Sequence, residues 1–143
     1  MSGFLMDVYM KHEAALSHAD TAFRDLLQMS PVLIGDAMPP TKYGVYAFSQ
    51  KGEIIYVGEA SGSGGLKARI VNKHVSGDEG HALQKEFQSL YPNRLERRNY
   101  IKQYIHVQWV EIPDSLLVSF VEKLAIAVIR PRLNKAVQDR KVS

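Results

Sequence analysis

The chain contains no cysteine, and this absence removes several classes of protein at once. Without thiols there is no disulfide framework, no zinc–thiolate centre and no cysteine nucleophile. A long apolar run is also missing, because the most apolar stretch, residues 116–129, is interrupted by polar side chains and is shorter than the roughly 20 residues that span a bilayer. The N-terminal residues lack the basic start and apolar block of a secretory signal. We therefore expect a soluble, cytoplasmic protein without a membrane partner.

Basic side chains are scarce in the first part of the chain. Residues 1–40 hold two basic and five acidic residues, whereas residues 41–143 hold 16 basic and 10 acidic ones. An acidic surface is unsuited to gripping DNA, and a modest basic excess permits a polyanion partner without requiring one. With 143 residues, 45% of them hydrophobic, the chain is long enough for one globular domain with a sizeable core.

The most informative stretch lies between residues 41 and 60. Two runs rich in β-branched and aromatic residues, 44–48 and 54–58, flank a polar stretch that contains Gly52. This pattern predicts a β-hairpin. A three-residue turn centred on Lys51 would place Tyr46 directly opposite Tyr56, with Cβ atoms roughly 5 Å apart. From spacing alone, the two phenols are either a functional pair or a cross-strand pair that only stabilises the sheet.

The segment before the hairpin is predicted to be helical. Apolar residues in 5–29 recur at the spacing of one or two amphipathic helices, and Ser30 before Pro31 ends that region. Residues 32–40 are interpreted as a connector. The helical segment either packs on the main domain, forms a dimer interface or contacts substrate, and we favour packing.

A glycine-rich loop, residues 61–65, follows the hairpin and leads into a predicted helix over residues 66–74. A loop of this kind can bind phosphate at a helix start, but the Gly-Lys-Ser/Thr ending of a nucleoside-triphosphate site is missing. We interpret it as a connector. On the helix, Arg69 and Lys73 are four residues apart and share a face, which suits a nearby phosphate.

Residues 76–103 are the least readable part of the chain. Residues 81–90 predict a helix, and residues 94–102 are basic with Tyr100 and Tyr104 interleaved or adjacent. The basic segment is either a surface that follows a nucleic-acid backbone or a solvated helix face.

The last third of the chain predicts a strand and a helix. Residues 104–112 alternate as a third strand with one buried face, and residues 115–129 predict a helix that is apolar around most of its circumference. Glu122 lies within this helix. Removing an unpaired carboxylate from water costs several kcal/mol, so Glu122 must reach solvent, a cation or a metal. Taken alone, a narrow solvated stripe with Ser115 and Ser119 explains it.

Taken in order, these elements resemble the GIY-YIG nuclease superfamily from Tyr43 to about Lys135. The matching pieces are Gly44-Val45-Tyr46, Tyr56-Val57-Gly58, Arg69 in the next helix, Glu122 in the apolar helix, and Pro131 with Asn134 just beyond it. The resemblance implies an α+β fold with a small three-stranded antiparallel or mixed sheet flanked by helices. Residues 41–143 would form the nuclease domain, and residues 1–40 an N-terminal helical extension with its connector.

The resemblance also implies a chemistry, namely hydrolysis of phosphodiester bonds in DNA with one divalent cation. Glu122 would bind the ion, which would be Mg²⁺ with Mn²⁺ as a substitute, and Arg69 would hold the phosphate and offset transition-state charge. Tyr46 would take a proton from the attacking water, provided its pKa is lowered from about 10, and Tyr56 would orient either that water or the scissile phosphate. His74 and Asn134 complete the implied catalytic set, with Asn134 anchoring the end of the Glu122 helix and the surroundings of the metal.

Six basic residues are predicted to contact nucleic acid: Lys67, Lys73, Arg97, Arg98, Lys102 and Lys135. Three features depart from the family pattern, namely Glu59 after YVG, the long segment 76–103, and the extension. We expect a restriction-type or phage-associated stand-alone nuclease, which could form a homodimer through the N-terminal helices or residues 76–103. The alternatives are a catalytically silent nucleic-acid-binding or regulatory module and a protein-interaction domain that dimerises through residues 5–29.

Overall fold

The computed structural model describes residues 2–75, 81–135 and 137, with Lys73 described by its backbone alone. The helices are α1 (Gly3–Gln28), α2 (Gly65–Lys67), α3 (Ala82–Phe87), α4 (Arg94–Tyr104) and α5 (Ser115–Ile129). The strands are β1 (Val32–Leu33), β2 (Gly44–Gln50), β3 (Glu53–Ala60) and β4 (His106–Glu111). A 3-10 turn covers Ile34–Asp36, and a π-helix, Ala68–Val75, continues directly from α2.

The N-terminal segment is one uninterrupted helix. The hydroxyl of Ser2 caps α1 by accepting a hydrogen bond from the backbone N–H of Leu5 at 3.1 Å, and the helix ends before Ser30-Pro31. Ala19 and Leu26 in its second half are buried against the sheet, whereas every residue from 3 to 14 is exposed. The favoured packing role therefore belongs to the second half of α1.

The sheet contains one strand more than the sequence predicts. Its four antiparallel strands lie in the order β1-β4-β2-β3. β1 pairs Val32 with Val107 and Leu33 with His106, so the interpretation of residues 32–40 as a connector is wrong at β1 and at the 3-10 turn. A two-residue strand depends on a partner more than 70 residues away, and local pattern does not report such a partner. The α+β fold class is confirmed.

The hairpin forms with a different register from the one predicted. Its turn has two residues, Lys51 and Gly52, both with positive φ (53° and 80°), as a type I′ turn requires. Phe48 pairs with Tyr56 but Ser49 pairs with Ile54, so one residue of β3 is bulged. The shorter turn and the bulge together shift the pairing by two residues. Tyr46 is therefore opposite Gly58 rather than Tyr56, but a two-residue shift keeps both tyrosines on the same face of the sheet.

Each face of the sheet carries its own hydrophobic core. The π-helix, α3 and α4 cover one face, and α1 and α5 cover the other. The first core contains Tyr46, Phe48, Ile55, Leu66, Ile70, Leu83, Phe87, Ile101 and Val107. The second contains Ala19, Leu26, Val45, Ala47, Val57, Val118, Val121 and Ala125. Each fully buried large side chain of this kind stabilises the fold by about 1.5–3 kcal/mol.

Both faces of β4 are covered, and the prediction of one buried face is wrong. Val107 and Trp109 pack on the first core, while Gln108 is buried on the other side. The Gln108 amide donates to the carbonyl of Leu26 at 2.8 Å, because the end of α1 lies against this strand. In the described ranges, no helix is both long and apolar enough to cross a membrane.

Candidate active site

Two tyrosines from the hairpin lie side by side beneath the π-helix. The ring centres of Tyr46 and Tyr56 are 6.3 Å apart, and Phe48 stacks on Tyr56 with centres 6.0 Å apart. Tyr46 is wholly buried and Tyr56 is partly exposed. The predicted pairing of the two phenols is therefore wrong in register, whereas their proximity is as expected.

The two motif glycines are required by close approach of other atoms. A Cβ atom at Gly58 would overlap the hydroxyl end of the Tyr46 ring, which lies directly over this residue. A Cβ atom at Gly44 would overlap the carbonyl oxygen of Val110 on the neighbouring strand. Gly58 thus leaves room for Tyr46, and Gly44 allows β2 and β4 to pair closely.

The π-helix brings His74 to Tyr46. In an α-helix, residues five apart point in different directions, but a π-helix closes its hydrogen bonds between residues i and i+5. Arg69 and His74 have this spacing and act on the same phenol: Nε2 of His74 lies 2.9 Å from the hydroxyl oxygen of Tyr46, and Arg69 acts on Tyr46 by charge and by a hydrogen bond. Lys73 was predicted to share a face with Arg69, and its side chain lies outside the described residues.

Burial controls the protonation of both phenols. Burial raises the pKa of Tyr46 above its ordinary value, and the neighbouring Tyr56 raises it further, whereas Arg69 lowers it. Burial also raises the pKa of Tyr56, again opposed by Arg69. Without a bound cation, both hydroxyls are therefore protonated at neutral pH.

His74 is neutral at physiological pH. Burial lowers the pKa of His74 to about 3, and the nearby His81 and Arg69 act in the same direction. A neutral imidazole has one nitrogen that accepts a hydrogen bond and one that donates. Its Nε2 faces Tyr46, and its Nδ1 is buried without a hydrogen-bond partner among the described residues.

Glu122 reaches this site from α5 on the opposite layer. Its side chain is only 12% exposed, and one carboxylate oxygen lies 2.7 Å from Nζ of Lys123. The charge of Glu122 raises the pKa of both Tyr46 and Tyr56, and Arg69 lowers the pKa of both. A guanidinium and a carboxylate from two other elements therefore act on both phenols of the hairpin.

Three buried polar atoms at this site have no hydrogen-bond partner in the part of the chain that the structure describes. They are Nε of Arg69, Oε2 of Glu59 and Nδ1 of His74. Buried polar atoms in folded proteins are nearly always paired, so this cluster is suited to receive a ligand. A guanidinium N–H is a strong donor to a phosphate oxygen.

Two carboxylates lie near the phenols. Glu122 and Glu59 both act on Tyr56 and Lys123. In residues 2–75 and 81–135, no group of three or more acidic or histidine side chains could hold a metal ion. A divalent cation at this position would therefore take its remaining ligands from water or a phosphate.

Asn134 is engaged with the backbone of β3 and not with reacting groups. Its side-chain oxygen accepts from the N–H of Val57 at 2.9 Å, and its Nδ2 donates to the Val57 carbonyl at 2.8 Å. The neighbouring Leu133 N–H donates to the carbonyl of Ile55 at 3.0 Å. Both ends of the amide are occupied, so Asn134 anchors the chain at the end of the Glu122 helix to the strand that carries Tyr56.

Arg97 is a core residue, which corrects its predicted contact with nucleic acid. Its guanidinium is fully buried and donates to Gln84 Oε1 at 2.6 Å and to the carbonyls of Tyr91 and Pro92 at 2.9 and 3.2 Å. It is therefore inaccessible to DNA. Among the other predicted contacts, Lys67, Lys102 and Lys135 are exposed and Arg98 is partly exposed.

The glycine-rich loop is a connector, as interpreted from the sequence. The N–H groups of Leu66 and Lys67 donate to the carbonyls of Lys42 and Pro40 at 2.8 and 2.9 Å. These amides are consequently not available to a phosphate.

The sequence analysis did not predict a structural role for Gln84 near this site. No local sequence pattern distinguishes it from an ordinary helix residue.

Neither a protein-family model nor a curated protein matches the chain. Among solved structures, the chain is similar to a point mutant of the GIY-YIG N-terminal endonuclease domain of UvrC from Thermotoga maritima, bound to its catalytic divalent cation. The identity is 21% and the TM-score 0.46, and the similarity covers 71% of this chain and 89% of that domain.

Proposed function

We propose that the protein is a metal-dependent endonuclease that hydrolyses phosphodiester bonds in DNA. The observation that carries the proposal is the convergence of Tyr46, Tyr56, Arg69 and Glu122 around buried polar atoms that have no partner among the described residues. Phosphodiester hydrolysis needs a group that holds the phosphate, a group that accepts a proton from water and a source of positive charge. The four side chains supply the first two and a ligand for the third.

Arg69 would hold the scissile phosphate. Its buried Nε is a charged donor without a partner in the described residues, and a phosphate oxygen is the acceptor that it suits best. The charge on the phosphate oxygens increases toward the transition state. A guanidinium fixed at that position stabilises the transition state more than the ground state.

Tyr46 would take the proton of the attacking water as the phenolate, a form that Arg69 and a bound cation would favour. Nε2 of the neutral His74 lies 2.9 Å from the Tyr46 oxygen. A neutral imidazole can accept from a phenol or, as its other tautomer, donate to a phenolate, so His74 would hold the Tyr46 oxygen in place in either state. Tyr56, the more exposed phenol, would orient the water.

Glu122 would hold one divalent cation, with Glu59 as a second carboxylate. Such an ion, when bound, supplies positive charge beside the phosphate and lowers the pKa of nearby oxygen acids. Mg²⁺ suits two carboxylates, and Mn²⁺ accepts the same oxygen ligands. The exposed lysines, Lys67, Lys102 and Lys135, would contact the DNA backbone outside the site.

The test is nicking of supercoiled plasmid in Mg²⁺ by Glu122→Gln. We expect the rate to fall about 100-fold or more, with binding to plasmid retained, because the carboxylate is lost and the volume is kept. Glu53→Gln, an exposed glutamate at the hairpin turn, is the matched control and should cut at the parental rate. Equal rates for both variants would refute the proposed role of Glu122.

A catalytically silent nucleic-acid-binding module is the second candidate, and one observation favours it. Tyr46 is wholly buried and its pKa is raised rather than lowered. Such a module would bind DNA with a steep dependence on salt and would cut in neither Mg²⁺ nor Mn²⁺. The parental protein in the plasmid assay distinguishes the two functions.

A further inference from the structure

The side chain of Gln84 on α3 caps the C-terminal end of the π-helix. It is fully buried, and its Nε2 donates to the carbonyls of His74 at 3.0 Å and Val75 at 2.8 Å. The last carbonyls of a helix have no partner within their own helix. Here the two carbonyls are satisfied by a single side-chain amide from another element.

Arg97 on α4 fixes the orientation of that amide. Its Nε donates to Oε1 of Gln84 at 2.6 Å. Since a guanidinium has no acceptor atom, the amide must turn its oxygen toward Arg97 and its two N–H donors toward the π-helix. A second nitrogen of Arg97 donates to the carbonyls of Tyr91 and Pro92, so the guanidinium is itself held in place.

The hydrogen bonds of Gln84 and Arg97 stabilise the last turn of the π-helix, which carries His74. π-helices are rare and commonly appear as single turns at functional sites. An α-helical register over the same residues would turn His74 away from the side on which Arg69 lies. Loss of the amide would take a hydrogen-bond donor from two buried carbonyls, which is unfavourable, and would remove the contact that holds the last turn.

We propose that Gln84 and Arg97 are positioning residues that hold the last turn of the π-helix, so that the imidazole of His74 stays against the hydroxyl of Tyr46. Neither residue touches a reacting group. Their effect on cleavage rests on the proposed nuclease function, but their effect on His74 does not. The inference can therefore be tested whether or not the protein cuts DNA.

The test uses size-matched variants at both positions. Gln84→Met removes the amide, and Gln84→Glu keeps the volume and the link to Arg97 but loses the N–H donors. Arg97→Lys keeps the charge, and Arg97→Met keeps only the apolar stem. The matched controls are Gln108→Met and Gln108→Glu, because Gln108 is also a buried glutamine that donates to a backbone carbonyl, but on the other face of the sheet.

The first measurement is the ¹⁵N NMR spectrum of the histidine rings, with His74 assigned from a His74→Gln variant. We expect both Gln84 variants to shift the His74 ring resonances, and the Gln108 variants to leave them at the parental positions. Arg97→Lys should shift them less than Arg97→Met does. The double variant Gln84→Met with Arg97→Met should shift them no further than Gln84→Met alone, because the two residues act in one chain of contacts.

The second measurement is plasmid nicking. Misplacement of His74 should lower kcat about 10- to 100-fold while KM for DNA stays within about twofold, because DNA-contacting residues are unchanged. A folded Gln84→Glu or Gln84→Met protein with the parental His74 spectrum would overturn the inference, whatever its nicking rate. Should Gln84→Met fail to fold, the volume-preserving Gln84→Glu and Arg97→Lys decide the outcome by the same spectrum.

Discussion

At the scale of single residues, the candidate site is tightly packed where the ring of Tyr46 lies over the backbone of Gly58. A methyl group at this glycine would overlap the hydroxyl end of the ring, and the ring is packed on all sides within the core. Gly58→Ala should therefore displace Tyr46 and destabilise the fold by about 1–3 kcal/mol. Nicking should fall more than stability alone explains.

The control for this prediction is Gly62→Ala, where a Cβ atom would meet nothing within 4 Å. Urea unfolding and plasmid nicking are measured on both variants. Equal stability and equal rates in the two variants would contradict the steric role of Gly58.

His74 links the site to the acid sensitivity of the fold. Its pKa is about 3 in the folded protein and about 6.5 when unfolded. Between these values the unfolded chain binds more protons, so stability rises with pH. The contribution is fully present above pH 6.5 and is lost as the pH falls toward 3.

His74→Gln should flatten this dependence. In urea unfolding from pH 4 to pH 8, we expect the variant to lose a slope of up to one proton, or about 1.4 kcal/mol per pH unit. His12→Gln, at an exposed position on α1, should retain the parental slope. A His74→Gln protein with unchanged slope would show that His74 titrates normally.

At the scale of elements, β3 is an edge strand of the sheet and carries Tyr56. An unpaired edge presents free N–H and carbonyl groups, and Asn134 covers two of them at Val57, next to Tyr56. Asn134→Ala should cost about 1–3 kcal/mol and should also slow nicking, because β3 is no longer tied to the chain after α5.

Asn93→Ala provides the comparison for Asn134→Ala. Asn93 caps α4 by accepting from the N–H groups of Leu95 and Glu96, and losing a cap costs about 1 kcal/mol. It should lower stability without slowing nicking. If both asparagine variants slow nicking in proportion to their loss of stability, β3 has no specific role in the site.

The elements also show what sequence reasoning can reach. The hairpin, α1 and α5 were predictable because composition and periodicity over 10 or more residues determine them. The convergence of Tyr46, Tyr56, Arg69 and Glu122 followed from the ordered motifs. The elements are determined by neighbouring residues, and the convergence of the four side chains is indicated by the order of the motifs along the chain.

Features that depend on distant partners were not predictable. The bulge near Ser49 and the pairing of β1 with β4 arise from contacts across the sheet. The π-helix is held by Gln84 and Arg97, which reach it from α3 and α4. An arginine in a basic run is expected to face solvent, and only the tertiary fold reveals that this one is buried.

For the whole molecule, the two halves of α1 differ in how much they contribute to the stability of the fold. Removing residues 2–14 should leave the unfolding temperature within about 3 °C of the parent, because every residue from 3 to 14 is exposed. Leu26→Ala in the buried half should instead cost about 2–5 kcal/mol. Thermal unfolding followed by circular dichroism measures both, and a large loss on truncation would contradict the division.

The position of β1 and of the second half of α1 has a practical consequence for the design of fusion proteins. Residues 19–36 supply a strand and, together with α5, the cover of one sheet face, so a fusion that starts at residue 41 would expose part of an apolar layer and should be prone to aggregation. A DNA-targeting module should be attached ahead of the exposed half of α1, where a spliced partner disturbs no packing.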